Sequence, residues 1–211
     1  MVNKQADGVR RGSGPGRPRQ ERVTRAALDA VVALVAEQGM SAVTMDAVAA
    51  RAGVSKPAMY RRWSTKQDLV IAAAESRIAP LEVPDLGDFR AELRAVLTSR
   101  LETYRQPGVD RLLAGVIGAA AEAGAERGAY GEYAARVTSE TRHVLERGVD
   151  RGDVRSDIDI EAATTLVAAP LVFRMVGEQR MPDSALVDSV VDLLVRAVAV
   201  DSRPENKGSG M

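Results

Sequence analysis

Cysteine is absent from this 211-residue chain, and histidine occurs once, at His143. The first absence excludes a disulfide framework, a thiolate metal site and a cysteine nucleophile. One imidazole leaves little from which to build a zinc centre, so no metal or cofactor is expected. Aromatic residues make up only 3% of the chain against an apolar share of 45%. That composition suits helices packed closely through small side chains and is too apolar for a disordered chain. No apolar run reaches the length of a membrane span, and the N-terminus lacks the apolar stretch of a signal peptide. The expectation is a soluble, cytoplasmic protein with no membrane partner. No segment alternates with period two, no internal repeat stands out, and no nucleophile elbow, phosphate loop or dinucleotide fingerprint occurs. With no convergent acid, base and nucleophile, an enzyme is not expected.

What is there is an uneven distribution of charge. The net charge is zero, yet residues 1–75 carry twelve Lys/Arg against seven Asp/Glu, and the remainder carries seventeen against twenty-two. A cationic front on an acidic body suggests an anionic partner for the front alone. The first 20 residues are rich in Gly and Arg and read as a flexible basic arm. From residue 21 apolar residues recur at helical spacing (Val23, Ala27, Val31, Leu34, Val35), and Gly39 closes that helix. Thr44 can cap a second helix that ends at Gly53, and Ser55 a third with Pro57 in its first turn. Thr65 to Asp68 is a capping-box signal that opens a fourth helix, stopped before Pro80. Longer helices are predicted over 88–105, 109–123, 129–151, 159–178 and 184–200, so the chain reads as all-α. The last ten residues, 202–211, read as a disordered tail.

Two short helices around a tight glycine turn form the helix-turn-helix pattern. Val48, Ala49, Val54 and Met59 are small or flexible enough to let them cross closely, while Ser55, Lys56, Pro57, Tyr60 and Arg61 fall on the outer side. Hydroxyls, aromatics and cations are the side chains that meet phosphate oxygens and base edges in a major groove, and helix N-termini such as those at Thr44 and Thr65 bind phosphate. Arg17, Arg19 and Arg22 could enter a neighbouring minor groove, or could equally form a solubilising tail.

The stretch "ALDAVVALVAEQGMSAVTMDAVAARAGVSKPAMYRRWSTKQDLV" resembles the N-terminal domain of the TetR family of bacterial transcriptional regulators. The resemblance implies a three-helix DNA-binding head on a helical ligand-binding and dimerisation body, and a homodimeric repressor released from a palindromic operator by a small-molecule effector. An activator, or a regulator without a ligand, is a variant of the same reading. Carried over position by position, Thr44, Ser55, Tyr60 and Lys66 are expected to meet phosphate, and Lys56, Pro57, Ala58 and Arg61 to face bases. Trp63 matches a position that packs the head. The division is then 1–20 arm, 21–66 head, 67–201 body and 202–211 tail. "GDFRAELRAVL", "VLERGVDRGDVRSDIDIE" and "AAPLVFRM" resemble one subgroup of the family.

In the body, the last two predicted helices are apolar on more than one side. The dimer interface is expected there, through Leu166, Val187, Val190, Val191, Leu194 and Val198. An effector pocket is expected between the fourth helix and the body helices, lined by Leu97, Leu101, Tyr104, Leu113, Ile117, Val137, Phe173 and Met175. Scarce aromatics make it mainly aliphatic. Pro170 should loosen its helix by removing a backbone hydrogen bond. Glu146, Arg147, Asp150 and Arg151 read as a solvated face with helical ion pairs, Asp153, Asp157, Asp159 and Glu161 as a turn and a helix start, and His143 as a surface residue. The rival readings are a helical ligand- or partner-binding protein without specific operators and, further off, a small enzyme.

Overall fold

The structure is a computed structural model, and it describes residues 16–78, 83–123 and 129–200. Within these the chain is all-α, with one isolated β-bridge joining Val154 to Ala199. α1 (Gly16–Gln38) begins earlier than the sequence pattern suggests, so 16–20 of the expected arm are helical. Pro18 falls within its first turn, where proline's fixed φ and missing N–H cost a helix nothing. The remainder of the expected arm, and the expected tail, lie outside the described residues.

A short 3-10 turn (Met40–Ala42) leads into α2 (Met45–Ala52), α3 (Lys56–Tyr60) and α4 (Lys66–Arg77). Thr44 caps α2 by accepting a hydrogen bond from the Ala47 amide at 3.1 Å. Gly53 ends it in the left-handed region at φ 65°, which a residue with a Cβ adopts only under strain. Thr65 and Asp68 exchange hydrogen bonds of 3.0 Å each, a complete capping box for α4. Val31, Val35, Val43, Val48, Met59 and Trp63 are buried together between these helices, Val31, Val35 and Val48 as the periodicity predicts.

The body comprises α5 (Phe89–Tyr104), α6 (Val109–Ala123), α7 (Ala129–Arg151), α8 (Ile160–Val172) and α9 (Ser184–Val198). Asp88, Asp159 and Asp183 cap α5, α8 and α9. Asp153 and Asp157 pair with Arg151 and Arg155, within the turn that the sequence places there. α8 carries Pro170 within it and does not run on as a regular helix beyond Val172. Phe173–Gly177 form a π-turn, in which the Glu178 amide donates to the Phe173 carbonyl five residues back. The window Ile160–Gly177, with a mean hydropathy of 1.4, is long and apolar enough to cross a membrane by length and composition. This departs from the sequence expectation. Its physical reason is that α8 is apolar on two faces, one against the body core through Ala163, Val167 and Leu171, the other outward.

Glu92 on α5 is fully buried and binds three groups. Its Oε1 accepts from the Leu86 amide at 2.9 Å and from Arg151 at 3.1 Å, and its Oε2 accepts from Arg147 Nη2 at 3.2 Å. Arg147 also reaches the Val83 carbonyl, and the Val83 amide donates to Glu140. Arg147 and Arg151 are thus not partners in a solvated helix face but straps that hold residues 83–88 onto α5 and α7. The hydrogen bond to Glu92, then that to Asp153, pushes the Arg151 guanidinium above its ordinary value.

Head and body meet along α6. Arg111 donates to the Ala36 carbonyl at 2.9 Å. Met40 lies so close over Gly115 that a Cβ there would collide with its side chain.

Candidate nucleic-acid interface

The turn between α2 and α3 sets the N-terminal end of α3 outward. Ser55, Lys56, Pro57, Tyr60 and Arg61 are exposed on one face, with Met59 behind them fully buried. Tyr60 is 54% exposed, a large ring left in solvent beside a cation four residues away. The Ser55 hydroxyl makes no cap bond, although Ser55 occupies the cap position of α3. Thr44 and Arg22 are also exposed, and Ala58 is half-buried. Lys66 is half-buried against the Met40 carbonyl and sits at the start of α4 rather than on the face of α3.

Two features of this face were not read from the sequence. Lys56 Nζ lies 2.7 Å from Asp46 Oδ2, across the turn. The hydrogen bond to Asp46, followed by its charge, raises the Lys56 amine above its ordinary value. The two residues are ten apart, and only the crossing of α2 and α3 brings them together. The second is Arg62, which faces inward. It donates to Thr24 Oγ1 at 3.1 Å, the Ala58 carbonyl at 2.9 Å and the Gln20 carbonyl at 3.4 Å, tying α3 to α1. Arg61 and Arg62 are adjacent, yet one is offered to solvent and the other is a strap.

The expected seam on α9 needs correction. Val187, Val190, Val191 and Val198 are buried within the chain, and Leu194 is half-buried, where α9 packs on α5 and α8. The opposite stripe is outward: Leu193 is 67% exposed, with Ala197 beside it, and Leu186 is half-buried. Leu166 of α8, 60% exposed, does face out. Arg90 and Arg94 of α5 pair with Asp192 and Asp188, which pins the inward stripe.

The expected pocket is also redrawn. A small cavity of about 20 Å³ lies between α5, α7 and α8, lined by Leu97, Tyr104 and Val137 as expected. Leu101, Leu113 and Met175 are buried in the core, Ile117 is half-buried on α6, and none of the four lines it. Phe173 is 64% exposed, because it follows Leu166 by seven residues, two helical turns, on the outward face of α8. The wall that the sequence did not suggest is Arg100, 8% exposed, which donates to the Val137 carbonyl at 2.5 Å. In sequence it reads as one more charge on an amphipathic helix.

Fold and exposed head together define a helix-turn-helix regulator. The description "Bacterial regulatory proteins, tetR family" matches residues 27–73, and "Tetracyclin repressor-like, C-terminal domain" matches residues 83–194. The HTH-type transcriptional regulator YdeS of Bacillus subtilis is 33% identical over 188 residues, covering 84% of this chain and 90% of that protein. The DNA-binding transcriptional repressor TetR of Mycobacteroides abscessus is 32% identical over 181 residues, covering 82% and 95%. The crystal structure of the TetR family regulator SCO0332 superposes with a TM-score of 0.66 at 27% identity, covering 85% of this chain and 100% of that one. The chain belongs to the tetR family of bacterial regulatory proteins. It is a transcriptional regulator with a DNA-binding helix-turn-helix head and a helical body, not an enzyme.

Proposed function

We propose that the chain is a homodimeric repressor, released from a palindromic operator when a small molecule enters its body. In this reading residues 21–66 form the head and 67–201 the body. The exposed row Ser55, Lys56, Pro57, Tyr60 and Arg61 carries the proposal, since a face backed by buried Met59 and offering hydroxyl, cation and aromatic groups suits a major groove. Lys56, Pro57, Ala58 and Arg61 face bases; Thr44, Ser55 and Tyr60 meet phosphate; Arg22 enters the neighbouring minor groove; Lys66 supports the α4 terminus.

Dimerisation is supported by the outward stripe of α8 and α9. Leu166, Phe173 and Leu193 are all at least 60% exposed, and such large side chains in one region are the mark of a covered surface. Two α8–α9 pairs would meet about a two-fold axis as a four-helix bundle and present two copies of α3 to half-sites about 34 Å, or a multiple of that, apart. Ligand release is supported by the interior cavity and by α6, which touches both the π-turn and the head. A family relative, the FadR regulator of Bacillus subtilis, 19% identical, was solved in complex with stearoyl-CoA.

Selection of bound fragments from a random DNA pool at about 150 mM salt tests the reading. The expected product is an enriched inverted repeat. Enrichment of no sequence, with only salt-sensitive general binding, favours the rival in which the head is a basic docking surface and the body alone holds the function.

A further inference from the structure

We infer that Lys56 and Asp46 act as one unit that reads a single G·C base pair in each half-site, Lys56 taking the guanine and Asp46 its cytosine. The inference rests on the operator reading and names a base pair that the operator must contain. Lys56 Nζ and Asp46 Oδ2 lie 2.7 Å apart, and both side chains are more than half exposed. Lys56 has no other hydrogen-bond partner among the described residues. The crossing of α2 and α3 therefore sets a donor with hydrogens to spare beside an anionic acceptor.

In the major groove a G·C pair presents guanine N7 and O6 as acceptors and cytosine N4 as a donor. O6 and N4 are themselves joined by a Watson–Crick hydrogen bond of about 2.9 Å, so their separation matches that of Nζ and Oδ2. Laid edge to edge, the two pairs close a ring that uses every hydrogen. Of the three on Nζ, one stays on Asp46, one goes to O6 and one to N7. Of the two on N4, one stays on O6 and the other goes to Oδ2.

Asp46 supplies the discrimination. The fold has little need of an acid there, since Thr44 already caps α2 and an ion pair this exposed adds little stability. Beside the phosphates of DNA a carboxylate is repelled, and it lowers affinity unless it meets a donor. Cytosine N4 and adenine N6 are the base donors of that groove. With Lys56 over an acceptor and Asp46 over a donor, only G·C and T·A have the right order. T·A puts the thymine methyl where guanine carries N7, so it loses one bond. C·G and A·T reverse the order, setting the ammonium against an amino group and the carboxylate against a carbonyl oxygen. A lysine alone is a compact point charge that accepts either acceptor-bearing base, and the carboxylate beside it turns the wrong pairs into repulsive ones.

The test repeats the fragment selection on the full-length protein as wild type, Lys56→Ala, Asp46→Ala and Asp46→Asn, with the unfolding midpoint of each recorded. The wild type should enrich an inverted repeat with one near-invariant G·C position in each half. Lys56→Ala and Asp46→Ala should both relax that same position and no other, each cutting the preference for G·C over C·G at least about tenfold. Asp46→Asn keeps a carbonyl oxygen and should restore part of the preference. N4-methylcytosine at that position removes the donor while the base pair holds, and should weaken the wild type several-fold but leave Asp46→Ala unchanged. Relaxation at two different positions, a shared position that is not G·C, or an Asp46→Ala selection identical to that of the wild type overturns the paired reading and leaves the operator standing. A wild type that enriches no sequence overturns the operator reading, and this one with it.

Discussion

The charges of the head and those of the body are of two kinds. On the head, Lys56 and Asp46 pair in full solvent, each more than half exposed. In the body, Glu92 is sealed from solvent and held by Arg147, Arg151 and the Leu86 amide. An exposed pair contributes about 0–1 kcal/mol and can exchange its partner for a phosphate at little cost. A buried one cannot be parted without stranding a charge. The Lys56–Asp46 pair is thus suited to recognition, and the Glu92 cluster to fixing the frame on which recognition depends.

The most severe way to break this contrast is Glu92→Ala. It should destabilise the fold by about 3–5 kcal/mol in urea unfolding, because two arginines lose their buried acid. A loss within about 0.5 kcal/mol would make the body's network no different from a surface pair. Next comes the apolar stripe. Leu166→Glu with Leu193→Glu should weaken self-association at least about a hundredfold by sedimentation, while the unfolding of the protomer stays cooperative.

The adjacent arginines Arg61 and Arg62 sharpen the comparison. Arg62→Ala should cost about 1–3 kcal/mol of stability through its lost bonds to Thr24, Ala58 and Gln20. Arg61→Ala should stay within about 0.5 kcal/mol and act on DNA affinity instead. The smallest effect is expected from Asp46→Asn. Removing an acid beside the phosphates should raise affinity for DNA of any sequence a few-fold, on the order of 0.5 kcal/mol, with thermal stability unchanged.

The helices were legible because their punctuation is local: Thr44, Thr65, Asp88 and Asp159 cap, Gly39 and Gly53 end, and proline interrupts. The head was legible for a second reason, its fixed spacing of Gly, Tyr and Trp. The misreadings share one cause, which is that helical periodicity says which residues share a face but not what that face meets. α9 has two apolar stripes, and the one with Val187 and Val191 packs inside the protomer while Leu193 is left outside. Arg147 and Arg151 read as a solvated face because the buried acid that holds them, Glu92, lies 55 and 59 residues away. Phe173, expected in the pocket, lies seven residues from Leu166 on the outward face of α8, and its amide keeps the regular bond to the Ala169 carbonyl. Arg100 was invisible as a pocket wall because only packing shows that its side of α5 is covered.

The most direct measurement is operator affinity against salt for the wild type and Lys56→Ala, with the unfolding midpoint of each recorded alongside. The account predicts a loss of about 1–3 kcal/mol in affinity and an unchanged midpoint, because an exposed cation engaged only by Asp46 is free to serve DNA. A fallen midpoint with unchanged affinity would contradict it, and would make Lys56 one more structural ion like those of the body.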